Sequence, residues 1–286
     1  MPLESILLKR DIARGDVLLC TAIIRQLKKN NPESRIFFQT KYPEIFAGNP
    51  MVERAVLPGH KFDTVFSKTY DLNIAIYEKF KGWHIIDCFG SCCGLKQNQF
   101  PKTIDMFTSP AQKMKAVESL GSLTDYIVIA AGPGQWEGRN WPAARWKWLI
   151  DQLLEAGEKI VLVGSELDYN LPFTLDLRGK TSEFGHLAAV IQTAKCFIGI
   201  DSGPIHVAGA LKVPRVGLFG VTFPELILCD SPRTMAVRSD PNHQLSGVRH
   251  SVNFMRQVAL KHPKDNPMLT IVQEDVLKAY RTLFPQ

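Results

Sequence analysis

Short, almost unbroken apolar runs alternate along the chain with stretches whose apolar residues recur every three or four positions. The runs Ser5–Leu8, Arg35–Gln39, Ala55–Leu57 and Leu72–Ile76 read as buried strands. Asp16–Lys29, with Val17, Cys20, Ile24 and Leu27 on one face, and Trp83–Gly94 read as helices. From Gln97 to Asp125 the pattern loosens around Pro101, Pro110 and Gly121. It resumes with strands at Tyr126–Ala131, Lys159–Val163, Cys196–Ile200 and Arg215–Phe219, helices at Trp141–Ala156 and Phe184–Thr193, and a last helix at Gln273–Phe284. Ser231 to Pro267 is rich in Pro, His, Asn and Arg, shows no period and reads as a long irregular region. This alternation predicts an α/β protein with parallel sheets covered on both faces. The loosened stretch divides it into an N-terminal half, residues 1–115, and a C-terminal half, residues 116–272, with a helix over 273–286 packing back towards the first half. Two such halves form a cleft between them, where a ligand sits at the carboxyl ends of the strands.

The 286 residues, 45% hydrophobic and 22% charged, are those of an ordinary globular protein. The net charge of +6 and pI near 9.0 suit an anionic partner: a nucleotide, an anionic glycolipid, a membrane surface or nucleic acid. The same balance also fits a merely basic soluble protein. At the N-terminus the apolar run Ile6–Leu8 is broken at once by Lys9, Arg10 and Asp11. It supports neither a signal peptide nor a membrane span, and leaves a cytoplasmic location as the expectation. The six cysteines are too few for a disulfide framework. On a helix Cys88 and Cys92 would share a face, so a metal or redox role stands beside the plainer reading of Cys88, Cys92 and Cys93 as small buried hydrophobes.

The chain's most informative chemistry is in FIGIDSGPIHVAGALKVPRVGLFG, Phe197 to Gly220: strand, tight polar turn, helix start, second strand. A helix opening at Ser202 and Gly203 presents unpaired backbone amides to an anion, and Pro204 suits the first turn. Asp201 and His206 add groups able to hold a sugar or phosphate, although a lone helix histidine is also a common structural residue. Upstream, ARGDVLL places Asp16 at a helix start, either as a plain N-cap or as an ionised base for an incoming hydroxyl. GPGQWEGRNWP, Gly132 to Pro142, matches neither familiar phosphate-loop spacing. Its Arg139 is either a solvated loop residue or the cation that neutralises a departing diphosphate. In VLVGSELD, Glu166 and Asp168 lie just past a buried strand, where a carboxylate accepts from ribose hydroxyls or simply starts a helix. No Asp-x-Asp occurs in the chain, so this metal-holding arrangement of many sugar transferases is absent.

Taken in order, RGDVLLCTAIIRQL, GRNWPAARWKWLI, VLVGSE and GIDSGPIHVAGALKVPRVGLFGVTFP resemble glycosyltransferase family 9, the heptosyltransferases. The resemblance covers both halves. It implies a GT-B fold, two Rossmann-like domains with a cleft between them, the first on the acceptor side and the second binding the donor. It implies inverting transfer of a sugar, heptose from ADP-heptose, to an acceptor hydroxyl, with no essential metal and no cofactor beyond the nucleotide-sugar substrate. Asp16 falls where the family has its proposed base, and Arg139 where it often has a phosphate-binding lysine. Asp201, Ser202, Gly203 and His206 fall on the donor turn, and Glu166, or Asp168, on the ribose. The implied setting is lipopolysaccharide biosynthesis, with a glycan, glycolipid or smaller hydroxyl acceptor and peripheral contact with an anionic membrane surface at the inner membrane face. The first half looks short beside the family's usual acceptor domain. A nucleotide-sugar epimerase or hydrolase on the same fold is the alternative. A nucleic-acid-binding protein finds no basic stretch interleaved with aromatics to support it.

Overall fold

The computed structural model describes residues 3–73, 82–132, 137–165, 169–243 and 263–285. The first half holds β1 (Ser5–Lys9), α1 (Arg14–Leu19), α2 (Thr21–Asn30), β2 (Arg35–Gln39), β3 (Arg54–Val56), β4 (Lys68–Asp71) and α3 (Ile85–Cys92). α4 (Pro110–Leu120) leads into β5 (Tyr126–Ala130), α5 (Ala143–Glu155), β6 (Lys159–Leu162), β7 (Leu175–Asp176), α6 (Phe184–Gln192), β8 (Cys196–Ile200) and α7 (Gly203–Ala210). β9 (Arg215–Phe219), α8 (Pro224–Ile227), β10 (Thr234–Arg238) and α9 (Gln273–Leu283) complete the described elements. Every strand pairing is parallel, in the orders β3-β2-β1-β4 and β10-β9-β8-β5-β6-β7. The second is the doubly wound order of dinucleotide-binding sheets, and the first is its leading part.

The inner strands follow from their apolar runs. β5, β8 and β9 are buried at every residue, as strands covered by helices on both faces must be. Edge strands escape that requirement. β4 is Lys-Thr-Tyr-Asp and, among the described residues, pairs with β1 alone, so it carries no apolar signature. The expected strand Leu72–Ile76 is therefore displaced: β4 ends at Asp71, Leu72 is buried just beyond it, and positions 74–76 lie outside the described residues. β10, another edge strand, lies within the region expected to be irregular. α4 lies in the stretch that read as loosened, announced by a capping box in which Ser109 and Gln112 cap each other's backbone amides. The expected single helix Asp16–Lys29 is two, α1 and α2, meeting at Cys20, with Val17, Cys20, Ile24 and Leu27 all buried as read.

The halves share apolar contacts: one cluster runs from Leu8, Val17 and Ile23 to Val128, Phe184, Ala188 and Val207. They meet where α1 faces α7, α4 faces α6 and α3 faces α8. The expected division at residue 115 falls inside α4, whose Gln112 Nε2 donates to Glu183 Oε1 at 3.2 Å beside α6. Among the described residues the C-terminal helix packs on the second sheet. Val276, Leu277, Ala279 and Tyr280 of α9 join the apolar cluster of the second sheet with Trp146, Ile160 and Val216. Trp141 Nε1, donating to the Ile271 carbonyl at 2.9 Å, ties down the segment leading into α9.

α7 is fixed from beneath by Arg215, which is fully buried. Its guanidinium donates to the carbonyls of Ile205 and Cys229, each at 2.8 Å, and to Thr234 Oγ1 at 3.0 Å. Gly209 makes room for it, since a Cβ there would lie 2.0 Å from Arg215 Nη1 and 2.5 Å from Cys229 Sγ. Gly209→Ala gains about 1 kcal/mol of helix propensity but overpacks a site where collisions cost roughly 1–3 kcal/mol and displaced buried hydrogen bonds roughly as much again. A net loss of about 2 kcal/mol is expected, read as a lower urea midpoint at unchanged slope.

Candidate active site

Each sheet reverses its winding at one place, between β1 and β4 in the first and between β5 and β8 in the second. Crevices open at the carboxyl ends of strands flanking such reversals. The candidate residues gather at both.

In the second sheet Asp201 follows β8 and is only 4% exposed. Its carboxylate accepts from Thr222 Oγ1 at 2.7 Å and pairs with Arg139 Nη2 at 2.8 Å. Arg139 arrives from the loop after β5, and its Nη1 donates to the Asp201 carbonyl at 3.1 Å. The pair thus spans the reversal, and Arg139 is held by Asp201 rather than solvated. Ser202 stands at the N-cap of α7 in extended backbone, with its Oγ turned back to the Ile200 carbonyl at 3.3 Å, so its side chain does not cap the helix. Pro204 occupies the first turn, where its missing N–H costs nothing.

His206 follows within α7. It is buried, and its Nδ1 has no hydrogen-bond partner among the described residues. Burial pushes its pKa down to about 4, with Arg215 and Arg139 acting in the same sense and Asp201 opposing. The imidazole is neutral at pH 7.

In the first sheet the chain leaves β1 at Lys9, passes the buried Arg10 and enters α1 through Ala13. Ala13 has φ 59°, a left-handed conformation that strains a non-glycine residue by about 1–2 kcal/mol. Ala13, not Asp16, holds the N-cap position. Asp16 lies in the first turn, and its carboxylate pairs with Arg10 Nη2. Next to it, Gly15 brings the halves together. A Cβ at this position would sit 3.0 Å from His206 Cδ2 and 3.4 Å from Gly203 Cα, so glycine lets α1 approach α7 without pressing on the His206 ring.

The structure therefore brings Asp16, Arg139, Asp201, Ser202, Gly203 and His206 to the carboxyl ends of the strands at the two sheet reversals, which meet at this contact. Glu166 and Asp168 lie outside the described residues. Arg10 and Thr222 escaped the sequence reading, in which Arg10 figured only as a charge ending an apolar run. A basic residue at the carboxyl end of a buried parallel strand, just before a turn bearing an acid, was the available signal. The cysteines are all free thiols; burial pushes Cys88 and Cys93 up to about 12, which leaves them unreactive, and Cys92 is half-buried. Among the described residues no group of three or more His, Cys, Asp or Glu is placed to hold a metal ion, and no helix is long and apolar enough to cross a membrane. Two cavities, of about 390 and 490 Å³, lie apart from these residues beside α5 and α9. In the first of them Lys195 Nζ and Tyr280 Oη are both bonded to Glu158.

Residues 87–254 match the sequence model of glycosyltransferase family 9 (heptosyltransferase). Lipopolysaccharide heptosyltransferase 3 of Escherichia coli is 25% identical over 279 residues, covering 73% of this chain and 81% of that protein. Among solved structures, a glycosyl transferase family 9 protein from Veillonella parvula DSM 2008 superposes with a TM-score of 0.78 at 18% identity, covering 99% of this chain and 98% of the other. The dodecameric iron-containing heptosyltransferase TibC of enterotoxigenic E. coli H10407, in complex with ADP-D-beta-D-heptose, gives a TM-score of 0.71 at 15% identity over 99% of this chain and 78% of its own. The shared architecture is the GT-B fold.

The buried His206 makes stability depend on pH. Its pKa of about 4 in the folded chain lies below the ordinary 6.5, so the unfolded chain takes up the proton first, and stability is lost as pH falls from 6.5 towards 4. Between about pH 7.5 and pH 5 this residue should account for about 2 kcal/mol of lost stability. His206→Gln should remove that part of the loss, seen as a smaller difference between urea midpoints at the two pH values; an unchanged difference would clear His206 of the role.

Proposed function

Since the chain belongs to glycosyltransferase family 9, the heptosyltransferases, and is a glycosyltransferase, we propose that it moves heptose from ADP-heptose to a hydroxyl of a lipopolysaccharide acceptor, with inversion and with no essential metal. The observation that carries this reading is the meeting of the two strand-to-helix turns. The acid-bearing turn of the first half abuts the Asp-Ser-Gly turn of the second at Gly15, Gly203 and His206.

In this mechanism the first half receives the acceptor and the second the donor. Asp16 takes the proton of the acceptor hydroxyl as its oxygen attacks the anomeric carbon. The new C–O bond forms as the bond to the β-phosphate oxygen breaks on the opposite face, which inverts the centre, and the electron pair leaves with ADP. The start of α7, through the Ser202 and Gly203 amides, and Arg139 receive that charge, a role suited to a helix N-terminus and a preformed guanidinium. Asp201 orients Arg139 by ion pair and backbone carbonyl, and Thr222 orients Asp201. Glu166, with Asp168 as the alternative, takes the ribose hydroxyls. The net charge of +6 favours approach to an anionic glycolipid or membrane surface.

Thermal-shift measurements against ADP-, UDP-, GDP- and dTDP-sugars test the donor, because a ligand bound only by the native state raises its apparent stability. ADP-heptose should give the largest shift. Asp16→Asn should keep that shift and lose at least about 100-fold in transfer, the low end of what general base catalysis contributes. Full activity in the folded variant would remove the assignment, and rapid sugar release or epimerisation without acceptor would favour the hydrolase or epimerase alternative.

A further inference from the structure

We propose that Arg10 is the positioning residue for Asp16, holding the carboxyl group in the orientation from which it takes the acceptor proton; this rests on the reading of Asp16 as the base. Arg10 is 3% exposed and is held by contacts from three elements. Its backbone N–H donates to the Gln39 carbonyl at 3.0 Å, at the end of β2. Its Nη1 donates to the Leu72 carbonyl at 2.9 Å, just past β4, and its guanidinium carbon lies 4.8 Å from the centroid of the Phe89 ring on α3. Its Nη2 remains for Asp16 Oδ2. A planar, always charged fork fixed in this way loses little freedom in gripping a carboxylate, which distinguishes it from an exposed ion pair formed by two mobile side chains.

Each anchor comes from a different element of the first half, and together they converge on the reversal between β1 and β4. Asp16 itself is 22% exposed, on a helix of six residues entered through a strained Ala13. Such a short helix does little to orient the side chain. With Oδ2 engaged, the plane of the carboxyl group is set, and with it the direction of the second oxygen. Because Arg10 lies behind Asp16 and inside the first half, it acts on transfer through Asp16 and not through the donor.

The test compares Arg10→Lys, Arg10→Met, Asp16→Asn and the Arg10→Met/Asp16→Asn double variant. Transfer is measured with ADP-heptose and heptose-deficient lipopolysaccharide, and folding by thermal shift with ADP. Both Arg10 variants should lower kcat by about 10- to 100-fold, the scale of a misplaced reacting group, with the KM for ADP-heptose within about twofold of wild type. Removing the cation in Arg10→Met should move the acid limb of the kcat profile to higher pH, and Arg10→Lys should restore the limb without restoring the full rate. The double variant should be no slower than Asp16→Asn. An inactive Asp16→Asn beside folded Arg10 variants of wild-type kcat and pH profile overturns this proposal alone, whereas an active Asp16→Asn overturns the base reading and this proposal with it. Loss of the ADP shift in both Arg10 variants also overturns it, by making Arg10 a folding element.

Discussion

The close approach of α1 to α7 is the constraint on which the rest of the site depends. Two helix starts, each following a strand beside a sheet reversal, meet with van der Waals contact between Gly15, Gly203 and the edge of the His206 ring. A side chain at residue 15 would press on the His206 ring and the start of α7. Each helix is fixed from its own side, α1 through the Arg10–Asp16 pair tied to β2, β4 and α3, and α7 through Arg215 under its first turn. The contact is thus the seam between two separately braced units, which is why single residues on both sides carry so much of the geometry.

Around that seam the described ion pairs join Arg10 to Asp16 and Arg139 to Asp201, while burial keeps His206 neutral. Arg215 is satisfied by carbonyls and a hydroxyl rather than by a carboxylate. On the proposed reading, negative charge growing on a departing phosphate would meet the start of α7 and an Arg139 already oriented by Asp201, the condition under which electrostatic stabilisation is most effective.

Much of this was legible in the sequence, for definite reasons. β2, β8 and β9 lie where their apolar runs put them, because inner strands of a covered parallel sheet must be apolar on both faces and their ends are marked by turn residues. β4, β7 and β10 were missed or displaced because an edge strand can be short or polar. The Asp-Ser-Gly-Pro turn and the loop bearing Arg139 could both be picked out from their residues. That Arg139 would be held by Asp201 was not legible, since the pairing exists only once β5 and β8 lie side by side. Arg10 was hidden for a related reason: its partners Leu72 and Phe89 become neighbours through the order of the first sheet and the placement of α3, which no local pattern encodes.

A second junction between the halves differs in kind from the first. His84 caps α3 by accepting the Ile86 amide at its Nδ1, so the proton is on Nε2, which donates to the Leu228 carbonyl across the junction at 2.9 Å. Beside it the Lys102 amide donates to Asp230 Oδ2 at 2.8 Å, and the Asp230 amide returns a bond to the Lys102 carbonyl at 3.3 Å. The Lys102 ammonium is anchored on the buried Asp87. Separating the halves here strands buried polar groups, at roughly 1–3 kcal/mol each. Separating α1 from α7 gives up many dispersion contacts, each worth only about 0.1–0.2 kcal/mol, within the apolar cluster that runs through Val17, Phe184 and Val207, together with the bond from Arg14 Nη1 to the Ser182 carbonyl at 3.4 Å. The two junctions thus hold the halves by different means, buried polar bonds at α3 and summed apolar contact at α1 and α7.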